Sequence, residues 1–279
     1  VKGIPDTQEG KITNPSRMCG SDHFRIALVA AFREDFAMKS AAWFVAIVLS
    51  PFLTAWSFAQ EEVLDFGDVR EEHVMVPMRD GVKLSVYLYT PEGKGPWPVI
   101  FEQRYASLRS KGTRESAATL ARGGYVVALV NYRGTHLSEG KWVGYRAMQF
   151  GELRDGYDTC EWLAVQPWST GKVGTFGSSQ GGYAQNYLAV TQPPHLVCQY
   201  MVDTGLSLFH EGYRIGGATK PERFKSLAEV CRDPRDNDEL LDEWFRHPTY
   251  DDYWAPRIAP RISERWTCPV SRSGAGMIS

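Results

Sequence analysis

No Cys-x-x-Cys pair and no cluster of histidine with cysteine occurs in the 279 residues. The ligand spacing of a structural zinc site is therefore missing, and neither a metal nor a cofactor is expected. A basic stripe is missing too. Lys and Arg total 31 against 33 Asp and Glu, for a net charge of −2, which argues against nucleic acid as a partner. The five cysteines, at positions 19, 160, 198, 231 and 268, lie far apart. Such spacing fixes no disulfide connectivity, though pairing is open to them in an oxidising compartment.

What is present is an ordinary soluble composition, 43% hydrophobic and 23% charged. Thirteen Phe, thirteen Tyr and nine Trp supply aromatic surface for a core and an apolar pocket. The length suits one large α/β domain with room for an inserted subdomain.

The first sixty residues divide in two. Met38-Lys39 precedes the apolar run Ala41–Leu49, and Ser57-Phe58-Ala59 offers a small-x-small site. A short positive region, an apolar region and that site make a secretory signal peptide, Met38–Ala59, with Gln60 as the mature N-terminus. The competing readings are a buried core helix and an uncleaved membrane anchor; Pro51 and the shortness of the apolar run weigh against a spanning helix. Residues 1–37 precede a credible start methionine and show little periodicity, so they are expected to be upstream sequence outside the native protein. Secretion or a periplasmic location follows, with membrane anchoring as the alternative.

One segment dominates the remainder. Lys172-Val173-Gly174-Thr175-Phe176-Gly177-Ser178-Ser179-Gln180-Gly181-Gly182 reads as a short strand running through Gly-x-Ser-x-Gly into a helix. That is the layout of a nucleophile elbow, a strained strand-to-helix turn that presents a serine. Ser179 is the candidate nucleophile. The pentapeptide alone arises by chance in about one chain in ten of this length, so its context matters. Pro167-Trp168-Ser169-Thr170-Gly171 is a turn cluster before the strand, and Tyr183, Tyr187, Leu188 and Val190 suit a helix packed on a sheet.

Around the elbow, strands and helices alternate. His73–Met78 and Lys83–Thr90 read as a hairpin about Arg79-Asp80-Gly81. Pro98–Glu102 is the next strand, and Arg114–Arg122 is a short helix closed by Gly123-Gly124. Tyr125–Val130 is a continuous apolar run, as a strand buried on both faces requires. A helix spans 151–166, a second follows the elbow, and Leu196–Val202 is another strand. This order predicts an α/β fold, a mainly parallel sheet with helices on both faces. Residues 60–205 form its core. Residues 206–262, charged and aromatic with a helical piece at Asp238–Phe245, form an inserted partial helical cap. Residues 263–279 return to the core through a strand at Thr267–Ser271.

From about Val74 to Val270 the chain resembles the cocaine esterase and Xaa-Pro dipeptidyl-peptidase-like hydrolases, which are α/β-hydrolases related to the α-amino-acid ester hydrolases. The matching stretches occur in order: Val76–Leu84; Asn131-Tyr132-Arg133-Gly134-Thr135 with Ser138-Glu139-Gly140; Asp155–Thr159 leading to Glu161–Trp168; the elbow; and His247-Pro248-Thr249-Tyr250-Asp251-Asp252-Tyr253-Trp254. The resemblance implies that Ser179 is the nucleophile, that the backbone N–H of Gln180 is one oxyanion donor, and that the hydroxyl of Tyr105 is the second. It implies a small-molecule ester, amide or short peptide as substrate. Two departures stand out. Gln180 occupies a position that is commonly Tyr, and Asn131 one that is usually Asp. Arg133 reads as a structural arginine beneath the site.

No triad acid or base is identified. After Ser179 the histidines are His195, His210 and His247, and none follows an acid at the end of a late strand. The resemblance places the acid just after the strand that Pro269-Val270 begins, yet residues 271–279 hold no carboxylate. The expectation is a serine hydrolase present as an incomplete, inactive fragment, its C-terminal part missing. The alternative is a non-catalytic extracytoplasmic or membrane-tethered module on the same fold.

Overall fold

The computed structural model describes residues 64–145, 153–215, 218–219, 224–255 and 270–273. The expected upstream segment and signal peptide lie outside the described residues.

The first two strands form the expected hairpin, longer than its apolar pattern suggested. β1 (Val69–Pro77) pairs antiparallel with β2 (Lys83–Pro91) from Val69↔Pro91 to Pro77↔Lys83. β1 reaches back to Val69 because β2 supplies ladder partners over its whole length. β3 (Trp97–Arg104), β4 (Val126–Asn131), β5 (Ser169–Ser178), β6 (Leu196–Val202) and β9 (Val270–Ser273) complete a seven-stranded sheet in the order β1-β2-β4-β3-β5-β6-β9. Among the described residues of this sheet, the β1–β2 and β2–β4 pairings are antiparallel and the other four are parallel. A minor ribbon, β7 (Arg214–Ile215) with β8 (Ala218–Thr219), lies apart.

β4 explains how the sheet is covered. All six of its residues are buried. Val126, Ala128 and Val130 enter one core cluster, while Val127 and Leu129 enter another, as the two-residue period of a strand demands. The first cluster packs β-strand residues against Cys160 and Leu163 of α2 (Asp155–Ala164) and Leu188 of α3 (Gln180–Thr191). The second packs the opposite face against Ala117, Ala118 and Ala121 of α1 (Lys111–Arg122). Burying each large aliphatic side chain here stabilises the fold by roughly 1.5–3 kcal/mol. Helices therefore cover both faces.

Local chemistry sets the helix ends. α1 begins three residues earlier than its apolar pattern suggested because Ser110 caps it, its Oγ accepting from Thr113 N–H at 3.3 Å. It ends where Gly124 adopts φ +90° and donates to the Ala121 carbonyl. α2 stops at Ala164, short of the expected Gln166, because Val165 turns outward ahead of Pro167; residues 151–152 fall outside the described set.

The described residues of the segment expected to be a cap, called the cap below, are built on aromatics. Leu208–Tyr213 forms a π-helical turn, Ser226–Glu229 a 3₁₀ turn, and α4 (Pro234–Arg246) a full helix. α4 extends the expected Asp238–Phe245 piece because Asp233 caps it and Pro234 takes its first position. Trp244 stacks on Tyr213 at 3.5 Å between ring centres, and Trp254 is fully buried beside them. A short seam joins cap to core. Thr135 bridges Cys231, His136 N–H donates to the Val230 carbonyl (3.0 Å), and Arg232 N–H donates to the Gly134 carbonyl (2.8 Å).

Buried ion pairs tie together the stretches that carried the resemblance. Arg133 makes a bidentate pair with Asp155 (2.6 and 2.8 Å) and reaches Asp80 at 2.8 Å. Burial lifts the Asp155 carboxyl to about 6, against the opposing pull of Arg133. Arg79 grips Asp158 at 2.6 Å nearby. The hairpin turn, the loop after β4 and the start of α2 are thereby locked together.

Candidate active site

β5 ends at Ser178 and α3 begins at Gln180. Ser179, between them, has φ 47° and ψ −108°. This conformation lies outside the regions open to an L-residue and costs on the order of 1–3 kcal/mol. Its surroundings hold it there. Ser179 N–H donates to the Val202 carbonyl at 3.1 Å, and its own carbonyl accepts from Gly182 and Tyr183 N–H, both at 3.0 Å, and from Thr204 Oγ1 at 3.3 Å. The side chain is exposed at the C-terminal ends of the strands.

Crowding explains the flanking glycines. A Cβ on Gly177 would meet Glu102 Oε1 at 3.1 Å and the Cα of Gly181 at 3.3 Å, while φ at Gly177 is +143°. A Cβ on Gly181 would meet Glu102 Oε1 at 3.0 Å. Gln185 secures the turn from inside α3: its Nε2 donates to the Gly177 and Gly181 carbonyls at 3.3 and 3.2 Å, and its Oε1 accepts from Thr175 Oγ1 at 2.8 Å. Glu102 lies beneath the turn on β3. Burial raises its carboxyl above the usual range, and Arg104, 3.4 Å away, opposes that rise.

Gln180 and Tyr105 come together here, in an arrangement the sequence did not suggest. Gln180 Oε1 accepts from the backbone N–H groups of both Tyr105 (3.0 Å) and Ala106 (3.2 Å). The Gln180 carbonyl accepts from the Tyr132 hydroxyl at 3.1 Å. The Tyr105 ring stands edge-on to Tyr132, Trp142 and Tyr145 at 5.8–6.4 Å. His136 Nε2 donates to the Tyr105 carbonyl at 2.9 Å, and His136 itself has φ 47°. Neither His136 nor the amide of Gln180 was singled out in the sequence. The one cue was that Gln180 departs from the usual Tyr.

Among the described residues no side chain hydrogen-bonds to Ser179 Oγ, and the histidines there are engaged elsewhere. His73 meets Ser85, and His210 meets Ser207, at 2.9 and 2.8 Å. Two histidines do pair with carboxylates. His195 reaches Glu161 at 2.7 Å, but it precedes β6, whereas Ser179 follows β5, which runs parallel to it. A seven-residue strand separates those two edges by ~20 Å. His247 reaches Asp251 at 2.7 Å and stacks on Tyr253 at 4.1 Å, while its carbonyl accepts from Trp254 Nε1. The His247–Trp254 stretch is thus an internal fastening of the cap. The loop that the resemblance assigns to the triad acid, after residue 273, lies outside the described residues.

Comparison with known proteins fits this geometry. The pattern of the X-Pro dipeptidyl-peptidase family (S15 family) matches residues 80–231, more than half of the chain. A cocaine esterase of Rhodococcus sp. is 38% identical over 127 residues, 43% of this chain and 21% of that enzyme. The match therefore spans about a fifth of the esterase's length. A CocE/NonD family hydrolase from Staphylococcus aureus superposes with a TM-score of 0.59 at 26% identity, over 69% of this chain and 38% of that one. An α-amino acid ester hydrolase superposes with a TM-score of 0.63 at 20% identity, over 79% and 44% of the respective chains, and so speaks to the fold alone. The fold is that of an α/β-hydrolase.

Proposed function

Since the chain belongs to the X-Pro dipeptidyl-peptidase (S15) family, a family of serine hydrolases, we propose that its site is built for acyl transfer to water through an acyl-enzyme on Ser179. The observation that carries this reading is the strained backbone of Ser179, presented at the end of β5 and held by bonds to Val202 and Thr204. Ser179 Oγ attacks the carbonyl carbon of an ester, amide or short peptide. The tetrahedral intermediate places its negative oxygen near the Gln180 N–H at the start of α3, where the helix dipole favours negative charge. The alcohol or amine then leaves, and water releases the acid.

The second donor is the Tyr105 hydroxyl. In this fold class the loop after the third strand commonly lends a backbone N–H. Here Gln180 Oε1 already occupies the N–H groups of Tyr105 and Ala106, which leaves a side-chain hydroxyl as the donor from that loop.

The reaction also needs a proton acceptor for Ser179, and the described residues offer none. In an assembled triad, loss of the base costs about 10⁶ in kcat. With the described residues alone, Ser179 is accordingly proposed to react slowly. A second reading, a non-catalytic extracytoplasmic module, draws on the same unbonded Oγ. The location outside the cytoplasm rests on the Met38–Ala59 pattern.

Hydrolysis of p-nitrophenyl esters and labelling by a fluorophosphonate, each compared with Ser179→Ala, test the proposal. Labelling over hours that is confined to Ser179, with negligible turnover, is the expected result. Turnover at the rate of a complete serine hydrolase overturns the slow-reaction claim, and no labelling at all favours the non-catalytic module.

A further inference from the structure

Tyr105 is gripped on both sides of its backbone, and the two grips come from different parts of the fold. Its N–H, with that of Ala106, is held by the Gln180 side chain from the first turn of α3. Its carbonyl is held by His136 from the loop after β4. His136 keeps an unfavourable φ of 47° while doing so, and its own N–H is anchored to the Val230 carbonyl in the cap. A carbonyl can only accept, so the imidazole carries its proton on Nε2. An amide oxygen that accepts two adjacent backbone N–H groups fixes the orientation of the peptide that joins them.

We propose that Gln180 and His136 are positioning residues: together they clamp the Tyr105 segment, and so its hydroxyl, in a fixed relation to Ser179. The proposal rests on the acyl-transfer reading above. It explains what glutamine does at a position next to the nucleophile, where the backbone N–H alone would serve as well with any side chain. The side chain ties the second donor's loop to the residue that bears the first. Both donors of the developing charge then move as one unit, and such pre-organisation is what makes oxyanion stabilisation effective. Side-chain hydrogen bonds to the loop backbone also spare it from supplying its own satisfaction.

Two measurements on the full chain test this. Amide hydrogen exchange at Tyr105 and Ala106 reads the clamp whether or not Ser179 reacts. The rate of fluorophosphonate labelling of Ser179, followed by intact mass, reads its consequence. Gln180→Met keeps the length and removes the acceptor; it is expected to speed exchange at both amides about tenfold and to slow labelling about tenfold. Gln180→Glu keeps an acceptor oxygen and is expected to retain protection at both amides. In a Tyr105→Phe background, Gln180→Met is expected to cause no further slowing, because the hydroxyl it positions is gone.

Unchanged exchange in Gln180→Met overturns the clamp. Equal slowing with and without the Tyr105 hydroxyl overturns the positioning role and leaves a structural tie. Faster labelling in Gln180→Met also overturns it, since the amide oxygen would then be occupying the donor site. Failure of the underlying reading looks different: Ser179→Ala labels as readily as the parent chain, or the parent chain does not label, whatever the exchange pattern.

Discussion

A β-carbon added to Gly181 would stand 3.0 Å from Glu102 Oε1, so the second glycine of the elbow and a buried carboxylate of the neighbouring strand occupy adjoining space with none to spare. Gly177 meets the same carboxylate from the other side at 3.1 Å. The Gly-x-Ser-x-Gly spacing is therefore a packing requirement against β3 as much as a turn preference.

Gly177→Ala is expected to destabilise the chain more than Gly181→Ala. It adds the strain of φ +143° to the collision with Glu102, for a loss of about 1–3 kcal/mol. Urea unfolding measures both variants. Equal effects would show that contact, and not backbone conformation, sets the cost at Gly177.

Glu102 gives the site a pH signature. Burial, opposed by Arg104, raises its carboxyl above the ordinary value. A carboxyl raised in the folded state contributes stability that is fully present below its unfolded pKa and is lost as pH rises through the folded pKa. The parent chain should therefore lose stability relative to Glu102→Gln as pH rises from about 4.5 towards neutrality. Thermal unfolding of the two chains across that window is the measurement. Parallel curves would show that Glu102 is not titrating there.

Arg133 is expected to be irreplaceable. Removing it by Arg133→Met strands Asp155, which is fully buried, and should cost about 3–5 kcal/mol in urea unfolding. Arg133→Lys should recover little, because a lysine cannot reproduce the two-point pairing at 2.6 and 2.8 Å. Asp158→Ala, which loses the half-exposed Arg79, should cost about 1 kcal/mol or less.

The thiols should separate by reactivity. Cys198 is exposed on β6 and should react with a thiol reagent in the folded chain at pH 8. Burial, aided by Asp236 and Asp233, pushes the Cys231 thiol up to about 12, so it should react far more slowly. Cys160 is fully buried and should react only on unfolding. Equal rates at Cys198 and Cys231 would show that the seam at Cys231 opens freely.

Much of this fold could be read from the sequence because its strands are punctuated. The hairpin about Arg79-Asp80-Gly81, the apolar run of β4 and the strand Leu196–Val202 carry local signals strong enough to place them. The elbow was legible for the same reason, since glycine is demanded at two fixed positions. Element ends were less legible, because caps such as Ser110 and Asp233 act outside the apolar periodicity. The clamp on Tyr105 was not legible. It joins the side chains of Gln180 and His136 to the backbone of the Tyr105 segment, and a backbone partner leaves no mark on residue type. The two His–carboxylate pairs teach the converse. Glu161–His195 and His247–Asp251 have the chemistry of an acid–base pair, yet their places in the fold make them fastenings.

The seam between cap and core has a mechanical consequence. With Val230, Cys231 and Arg232 knitted to Gly134, Thr135 and His136 by backbone bonds, lifting that part of the cap would strand several peptide groups at once. There the cap behaves as a fixed roof, not a swinging door.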